Sequence, residues 1–257
     1  MNGFPPAPRW AWVVMTASLL AIAVLSYLAL HRPPPPGYRA SPSPAATGSE
    51  GSGAPPSETP RTPAEAARVL VVGDGFTAGT PAGGNGAAGW PRMVGADLAA
   101  AGRAVTVDVA AADGSGYLRP GADGLTFPLL AAGVGSYDLV VFFGSRHDNA
   151  AAADVQAAAE STFRAARAAS PDASLLVIGP AWPGDPPPGY LLTNRDAVSA
   201  AAAAVGAAFV DPLGERWFAG PPVGRIAADG VHPTDAGHRY LADLIRPLIE
   251  AGLPAGG

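Results

Sequence analysis

The 257-residue chain contains no cysteine and no lysine. The absence of cysteine excludes disulfide bonds, thiolate metal sites and a cysteine nucleophile. All 16 basic residues are arginines, and the 21 acidic residues bring the net charge to −5. Because the chain has no basic surplus to neutralise phosphates, nucleic acid is not an expected partner. Four widely spaced histidines without cysteine form no recognisable metal cluster, so no metal or other cofactor is predicted.

Charged residues make up only 14% of the chain, and segment 10–30 has none. As a helix with a rise of about 1.5 Å per residue, this apolar segment spans about 30 Å, enough to cross a bilayer. Trp10, Trp12 and Tyr27 lie near its ends, where aromatic residues favour the membrane interface. A cleavable signal peptide is the alternative, but its apolar core normally has about 7–15 residues. We therefore expect a short tail at 1–9 and a single-pass anchor at 10–30, with the globular part outside the cytoplasm. Arginines on both flanks leave the orientation open.

The rest of the chain divides into a spacer at 31–63 and a globular domain at 64–257. The spacer is rich in Pro, Ser and Gly and is predicted to be disordered. In the domain, short apolar runs typical of strands alternate with alanine-rich stretches typical of helices. The predicted strands are 68–73, 105–110, 138–143, 174–178 and 207–210, and the predicted helices are 90–101, 150–169, 193–205 and 234–251. This alternation predicts an α/β fold of three layers, α/β/α, with a central, mostly parallel five-stranded sheet.

Four short motifs lie at the loops where such a sheet binds ligands, beyond the carboxyl ends of its strands. They are GDGFTAG at 73–79, DGSG at 113–116, GSRHD at 144–148 and DGVHP at 229–233. In this order they resemble the SGNH, or GDSL-type, hydrolase family, and the resemblance covers about 68–250. It implies a flavodoxin-like fold and the hydrolysis or transfer of acyl esters on lipids or acylated glycans.

The resemblance also implies roles for individual residues. His232 would be the general base, and Asp229 would orient its imidazole ring. The nucleophilic serine of the family falls on Gly75, which has no side chain. Removal of the nucleophile costs about 10⁶-fold in rate in a well-studied serine hydrolase. Ordinary serine-esterase activity therefore does not follow from the resemblance.

The oxyanion hole implied by the resemblance has three donors. Two are backbone N–H groups, that of Gly75 and that of Gly114 or Gly116. The third is an asparagine side chain, whose position is taken by His147 if the loop is aligned on its final aspartate. Counted strictly from the glycine that opens the motif, the position falls on Arg146.

Several alternatives remain open at this stage. Ser115 or Ser145 could replace the missing nucleophile, as could a water molecule deprotonated by the histidine. The domain could instead be a non-catalytic pseudoenzyme that binds an acylated or glycan ligand. A remote alternative is a dinucleotide-binding oxidoreductase, because 73–78 matches the relaxed pattern G-x-G-x-x-A. Against it, Thr80-Pro81 and a glycine-rich stretch separate that pattern from the next predicted helix.

Overall fold

A computed structural model describes residues 66–132, 135–144, 146–219 and 224–254. The predicted tail, anchor and spacer lie outside the described residues, and so does Ser145. Within these ranges, no helix combines the length and the apolar character needed to cross a membrane.

The centre of the domain is a sheet of five parallel strands, as the sequence predicts. The strands are β1 (Ala67–Gly73), β2 (Val105–Ala111), β3 (Leu139–Phe143), β4 (Ser174–Ile178) and β5 (Ala208–Val210). Their order in the sheet is β2-β1-β3-β4-β5, and every neighbouring pair is parallel. The chain moves outward in opposite directions from β1 and β3, so a topological switch point, where ligands bind in such sheets, lies between these two strands.

Helices cover both faces of the sheet. They are α1 (Gly75–Ala78), α2 (Trp90–Ala100), α3 (Phe127–Leu130), α4 (Ala152–Ala169), α5 (Gly189–Ala204) and α6 (Asp235–Gly252). The four long helices correspond to the predicted ones, although α5 begins four residues before the predicted start, directly after a proline. The sequence does not predict α1 and α3, which have four residues each and lack room for a helical repeat.

The strands are buried on both sides. Val69 and Val71 of β1 pack in the core layer with α2 and α6, whereas Leu70 and Val72 pack in the layer with α4 and α5. Successive side chains of a strand point to opposite faces, so a strand between two helical layers needs an apolar residue at every position. This explains why the strands are continuous apolar runs.

The first three strands end at the same edge of the sheet. In the pairing register, Gly73 at the end of β1 lies beside Ala111 of β2 and Phe143 of β3. The chain then turns sharply into α1, and a Cβ atom on Gly73 would lie 2.2 Å from Oγ1 of Thr77. Only glycine permits this close return of the chain. As a result, the loops after β1, β2 and β3 leave the sheet side by side.

Candidate active site

The turn after β1 contains the predicted nucleophile position. Oδ1 of Asp74 accepts a hydrogen bond of 3.0 Å from the Phe76 N–H and caps the short helix α1. Gly75 is the first residue of that helix and is buried. Thr77 is also buried and packs over Gly73, which fits a structural role for its side chain. The turn is thus well ordered around a residue that has no side chain to react.

The space of a side chain at position 75 is filled by Asp113. A Cβ atom built on Gly75 would lie 2.3 Å from Oδ1 and 3.1 Å from Cγ of Asp113, and 3.4 Å from the methyl group of Thr80. A larger residue at position 75 would fit only if the Asp113 carboxylate rotated away. Asp113 is exposed, and its carboxylate makes no hydrogen bond or ion pair within the described ranges. The sequence analysis assigned no role to this residue.

Two residues in the loop after β2 have their polar groups engaged inside the protein. The Ser115 hydroxyl is fully buried and donates to the carbonyl oxygens of Ala112, at 2.6 Å, and Gly73, at 3.3 Å. This bonding leaves the Ser115 hydroxyl poorly placed to replace the nucleophile. The Gly116 N–H donates to the carbonyl oxygen of Arg119 at 2.8 Å. The Gly114 N–H has no acceptor in the described part of the chain, so Gly114 is the better oxyanion donor of the two.

Asp148 fastens the loop after β3 to the loop after β2. Its side chain is fully buried and accepts hydrogen bonds of 2.8–3.0 Å from the backbone N–H groups of Tyr117, Leu118 and Arg119. The Asn194 amide of α5 donates to the Asp148 carbonyl oxygen at 2.7 Å. The sequence analysis used Asp148 only to align the motif. An aspartate in the short loop that follows a fully apolar strand is the signal that could have indicated its structural importance.

Both candidates for the missing asparagine lie against the turn after β1. Nε2 of His147 lies 3.4 Å from Oδ2 of Asp74 and 3.2 Å from an Arg146 guanidinium nitrogen. The Arg146 side chain is buried, and its guanidinium carbon lies 4.8 Å from the ring centroid of Phe76. Two N–H-bearing side chains therefore lie close to the residues on either side of Gly75.

The predicted acid–base pair is formed by side chains in direct contact. Nδ1 of His232 lies 2.8 Å from Oδ2 of Asp229. Oδ1 of Asp229 accepts hydrogen bonds from the N–H groups of Val231, at 2.8 Å, and His232, at 3.0 Å. The hydrogen bond from the His232 side chain, followed by these two backbone bonds, lowers the pKa of Asp229 to about 2. A hydrogen on Nδ1 that donates to the carboxylate would leave Nε2 with the free lone pair that a general base needs.

The segment between β1 and α2 connects the Gly75 turn to this pair. Thr80, which lies beside the side-chain space of Gly75, makes two backbone hydrogen bonds with Gly83, of 2.9 and 3.0 Å. Gly83 packs directly on the start of α6, where its Cβ atom would lie 2.5 Å from the Asp235 nitrogen. Asp235 follows His232 by three residues. Continuous packing thus runs from the nucleophile position to the segment that bears the base.

The geometry of these loops does not match that of a dinucleotide-binding site or a metal site. A dinucleotide-binding helix should begin within the G-x-G-x-x-A pattern, but α1 ends after four residues and the next long helix begins at Trp90. Among the described residues, no three acidic or histidine side chains are grouped closely enough to hold a metal ion.

Comparisons with known proteins agree with the fold. A sequence model of the GDSL-like lipase/acylhydrolase family matches residues 71–240, which include all four motifs. A GDSL lipase of Mycobacterium tuberculosis is 48% identical over 191 residues, covering 72% of this chain and 82% of the relative. The crystal structure of TesA superposes with a TM-score of 0.58 at 28% identity and covers 72% of this chain and 99% of its own. A lipase/acylhydrolase from Enterococcus faecalis has the same fold, with a TM-score of 0.56 at 21% identity, 74% coverage of this chain and 99% of its own. This chain belongs to the GDSL-like lipase/acylhydrolase family.

Proposed function

We propose that this protein is a membrane-anchored hydrolase of low turnover that acts on acyl esters of envelope lipids or acylated glycans. The proposal rests above all on the Asp229–His232 pair, in which a carboxylate binds one imidazole nitrogen and leaves the other as a base. Membership of a lipase/acylhydrolase family, and a relative named as a lipase, support an ester as the substrate.

The chemistry available at Gly75 is limited. Without a hydroxyl at this position, an acyl-enzyme cannot form there, so the ester must be attacked directly by water. His232 would accept a proton from that water, and the Gly75 and Gly114 N–H groups would stabilise the developing oxyanion. In a serine hydrolase that has lost its nucleophile, such residual features still accelerate hydrolysis about 10³–10⁴-fold over water. Slow turnover is therefore the expected level of activity.

The test compares p-nitrophenyl ester hydrolysis by the full-length chain, purified in a mild detergent, with that of three variants. The variants are His232→Ala, Gly75→Ser and the double variant. We expect slow hydrolysis by the natural chain, loss of that activity in His232→Ala, and a gain of about 100-fold or more in Gly75→Ser. The gain should vanish in the double variant. If Gly75→Ser folds, as judged by circular dichroism, but hydrolyses no ester, the proposal of an ester site is wrong.

A binding-only role is the second candidate, and the position of Asp113 favours it. A carboxylate placed where the nucleophile's side chain would lie repels an oxyanion that forms nearby. In that case the natural chain should bind a non-hydrolysable ketone analogue of a long-chain ester, measured by calorimetry, while hydrolysing no ester above the buffer rate. Turnover would then arise only after Gly75→Ser.

The membrane location is a separate part of the proposal. We place the anchor at 10–30, the spacer at 31–63 and the catalytic domain on the outer side of the membrane, as the sequence predicts. The full-length chain should remain in the membrane fraction after alkaline carbonate extraction, and a chain that lacks residues 1–30 should be soluble. Protease added to intact cells should cleave the spacer. A mature protein recovered from the medium, beginning after residue 30, would show instead that the segment is a cleaved signal peptide.

A further inference from the structure

The carboxylate of Asp113 is a charged group at the centre of the candidate site that no assigned role uses. A serine Oγ lies about 1.4 Å from its Cβ, and Asp113 Oδ1 lies 2.3 Å from the Cβ position of residue 75. The carboxylate oxygen therefore occupies the region in which the hydroxyl of a serine at this position would lie. No group in the described chain neutralises it or donates a hydrogen bond to it. Because Asp113 is exposed, the lone pairs of this oxygen are open to solvent.

The backbone of Asp113 is held firmly in this position. Its carbonyl oxygen accepts a hydrogen bond of 3.1 Å from the Ala122 N–H, and the preceding residue, Ala112, donates to the Gly73 carbonyl oxygen at 3.1 Å. The loop also packs tightly on Gly121, whose Cβ atom would lie 2.5 Å from the Asp113 carbonyl oxygen. The loop that bears the carboxylate is thus tied to the end of β1, immediately before Gly75. These contacts fix the backbone of Asp113, so its carboxylate is presented from a rigid loop beside position 75.

We infer that Asp113 replaces the missing serine by holding the water molecule that attacks the ester, directly above Gly75. This inference rests on the proposed function. The water donates one hydrogen bond to Asp113 Oδ1 and presents its other hydrogen to Nε2 of His232. Its oxygen forms a bond to the carbonyl carbon while His232 takes the proton. The carbon–oxygen bond to the alcohol then breaks, and the proton on His232 passes to the departing alcohol oxygen. The products are a carboxylic acid and an alcohol. The Asp113 carboxylate is chemically unchanged by the reaction.

The step assigned to Asp113 is orientation of water, because direct attack by a carboxylate on an ester is unfavourable. That attack would convert an ester into a more reactive mixed anhydride and expel an alkoxide, a poorer leaving group than the carboxylate itself. A water fixed between two acceptors needs no such intermediate. The orientation of water by a fixed group lowers the entropy cost of the attack.

A double-mutant cycle between positions 75 and 113 tests the inference. The four full-length chains are the natural protein, Asp113→Asn, Gly75→Ser and Gly75→Ser/Asp113→Asn, assayed with p-nitrophenyl esters. In the natural background, Asp113→Asn should lower kcat about tenfold or more with little change in KM, and should alter the shape of the pH–rate profile. In the Gly75→Ser background the hydroxyl displaces the carboxylate, so the same substitution should leave kcat unchanged or raise it. The matched control is Asp123→Asn, which removes the same charge from an exposed position in the same loop and should leave all rates unchanged.

The outcomes separate this inference from the proposed function. An equal fractional loss in both backgrounds would indicate a merely structural role for Asp113, and an unchanged rate of Asp113→Asn in the natural background would show that it has no role. Either result overturns the inference, as does a natural chain with no turnover above the buffer rate. In all three cases the ester site itself stands if Gly75→Ser hydrolyses esters in a His232-dependent manner. A natural chain without turnover also rejects slow hydrolysis in favour of the binding-only role, and failure of Gly75→Ser rejects the ester site itself.

Discussion

Asp229 and Asp148 both accept clusters of backbone N–H groups at the candidate site, but they do so in different surroundings. Asp229 is exposed and binds the N–H groups two and three residues further along the chain. Asp148 is fully buried, and the N–H groups that it binds precede it by about 30 residues. The first carboxylate organises a local turn, whereas the second joins two separate loops.

The same contrast, between a local turn and separate loops joined together, distinguishes the two sides of the candidate site. The side that bears the predicted base is a short turn, in which Asp229 and His232 are in contact because only two residues separate them in the sequence. The side that bears the nucleophile position is assembled from three loops, and Asp148 holds two of them together. On the second side, a side chain from another loop, that of Asp113, lies within reach of position 75.

The largest effect is expected when the Asp148 and Asp229 carboxylates are removed one at a time, which tests the contrast between the two sides of the site. Asp148→Ala leaves three N–H groups without their acceptor, that of Tyr117 buried and those of Leu118 and Arg119 partly buried, and hydrogen bonds to a charged group are each worth about 1.5–3 kcal/mol. We therefore expect the free energy of unfolding to fall by about 4 kcal/mol or more, measured by urea denaturation. Asp229→Ala, which exposes its N–H groups to water, should leave the unfolding midpoint nearly unchanged while reducing ester hydrolysis.

Asp148→Asn is the matched control for this experiment, because it keeps the shape of the side chain and one acceptor oxygen but removes the charge. It should destabilise the fold less than Asp148→Ala. If Asp148→Ala and Asp229→Ala shift the unfolding midpoint equally, burial does not distinguish the two carboxylates, and the contrast between the two sides is wrong.

The same contrast explains which features could be predicted from the sequence. The five strands and the four long helices follow from local periodicity, and their bounds agree with the structure to within a few residues. The contact between Asp229 and His232 is also local, since the spacing of three residues within one turn brings them together. In both cases the determining interactions lie within a short stretch of chain.

The side that bears the nucleophile position could not be predicted in this way. The motif places Gly114 and Gly116 alike near the site, but only the folded loop directs the Gly116 N–H to the Arg119 carbonyl oxygen. The approach of Asp113 to Gly75 joins residues that are distant in sequence and depends on the pairing of β1 with β2. Such contacts depend on strand register and loop geometry, which cannot be inferred from the local patterns of a single sequence.

A buried histidine shows that the base side also depends on contacts between residues that are distant in sequence. His238 of α6 accepts a hydrogen bond of 3.4 Å from the Trp90 N–H at the start of α2, and its ring packs against Gly84. Burial lowers the pKa of His238 to about 4, and Asp235 opposes this shift only partly. The neutral ring is therefore required to join α6 to α2.

This requirement predicts a smaller effect than that of Asp148, and one that depends on pH. In the unfolded chain the pKa of a histidine is about 6.5, so between pH 6.5 and 4 the unfolded state binds more protons than the folded state. The stability contributed by the neutral ring is thus complete above pH 6.5, falls as the pH falls, and is lost below pH 4. A shift of this size corresponds to about 3 kcal/mol. Urea denaturation followed by tryptophan fluorescence should show this loss, and His238→Gln, which does not titrate, should show a flatter dependence over the same range. Parallel curves for the two proteins would mean that protonation of His238 does not limit folding.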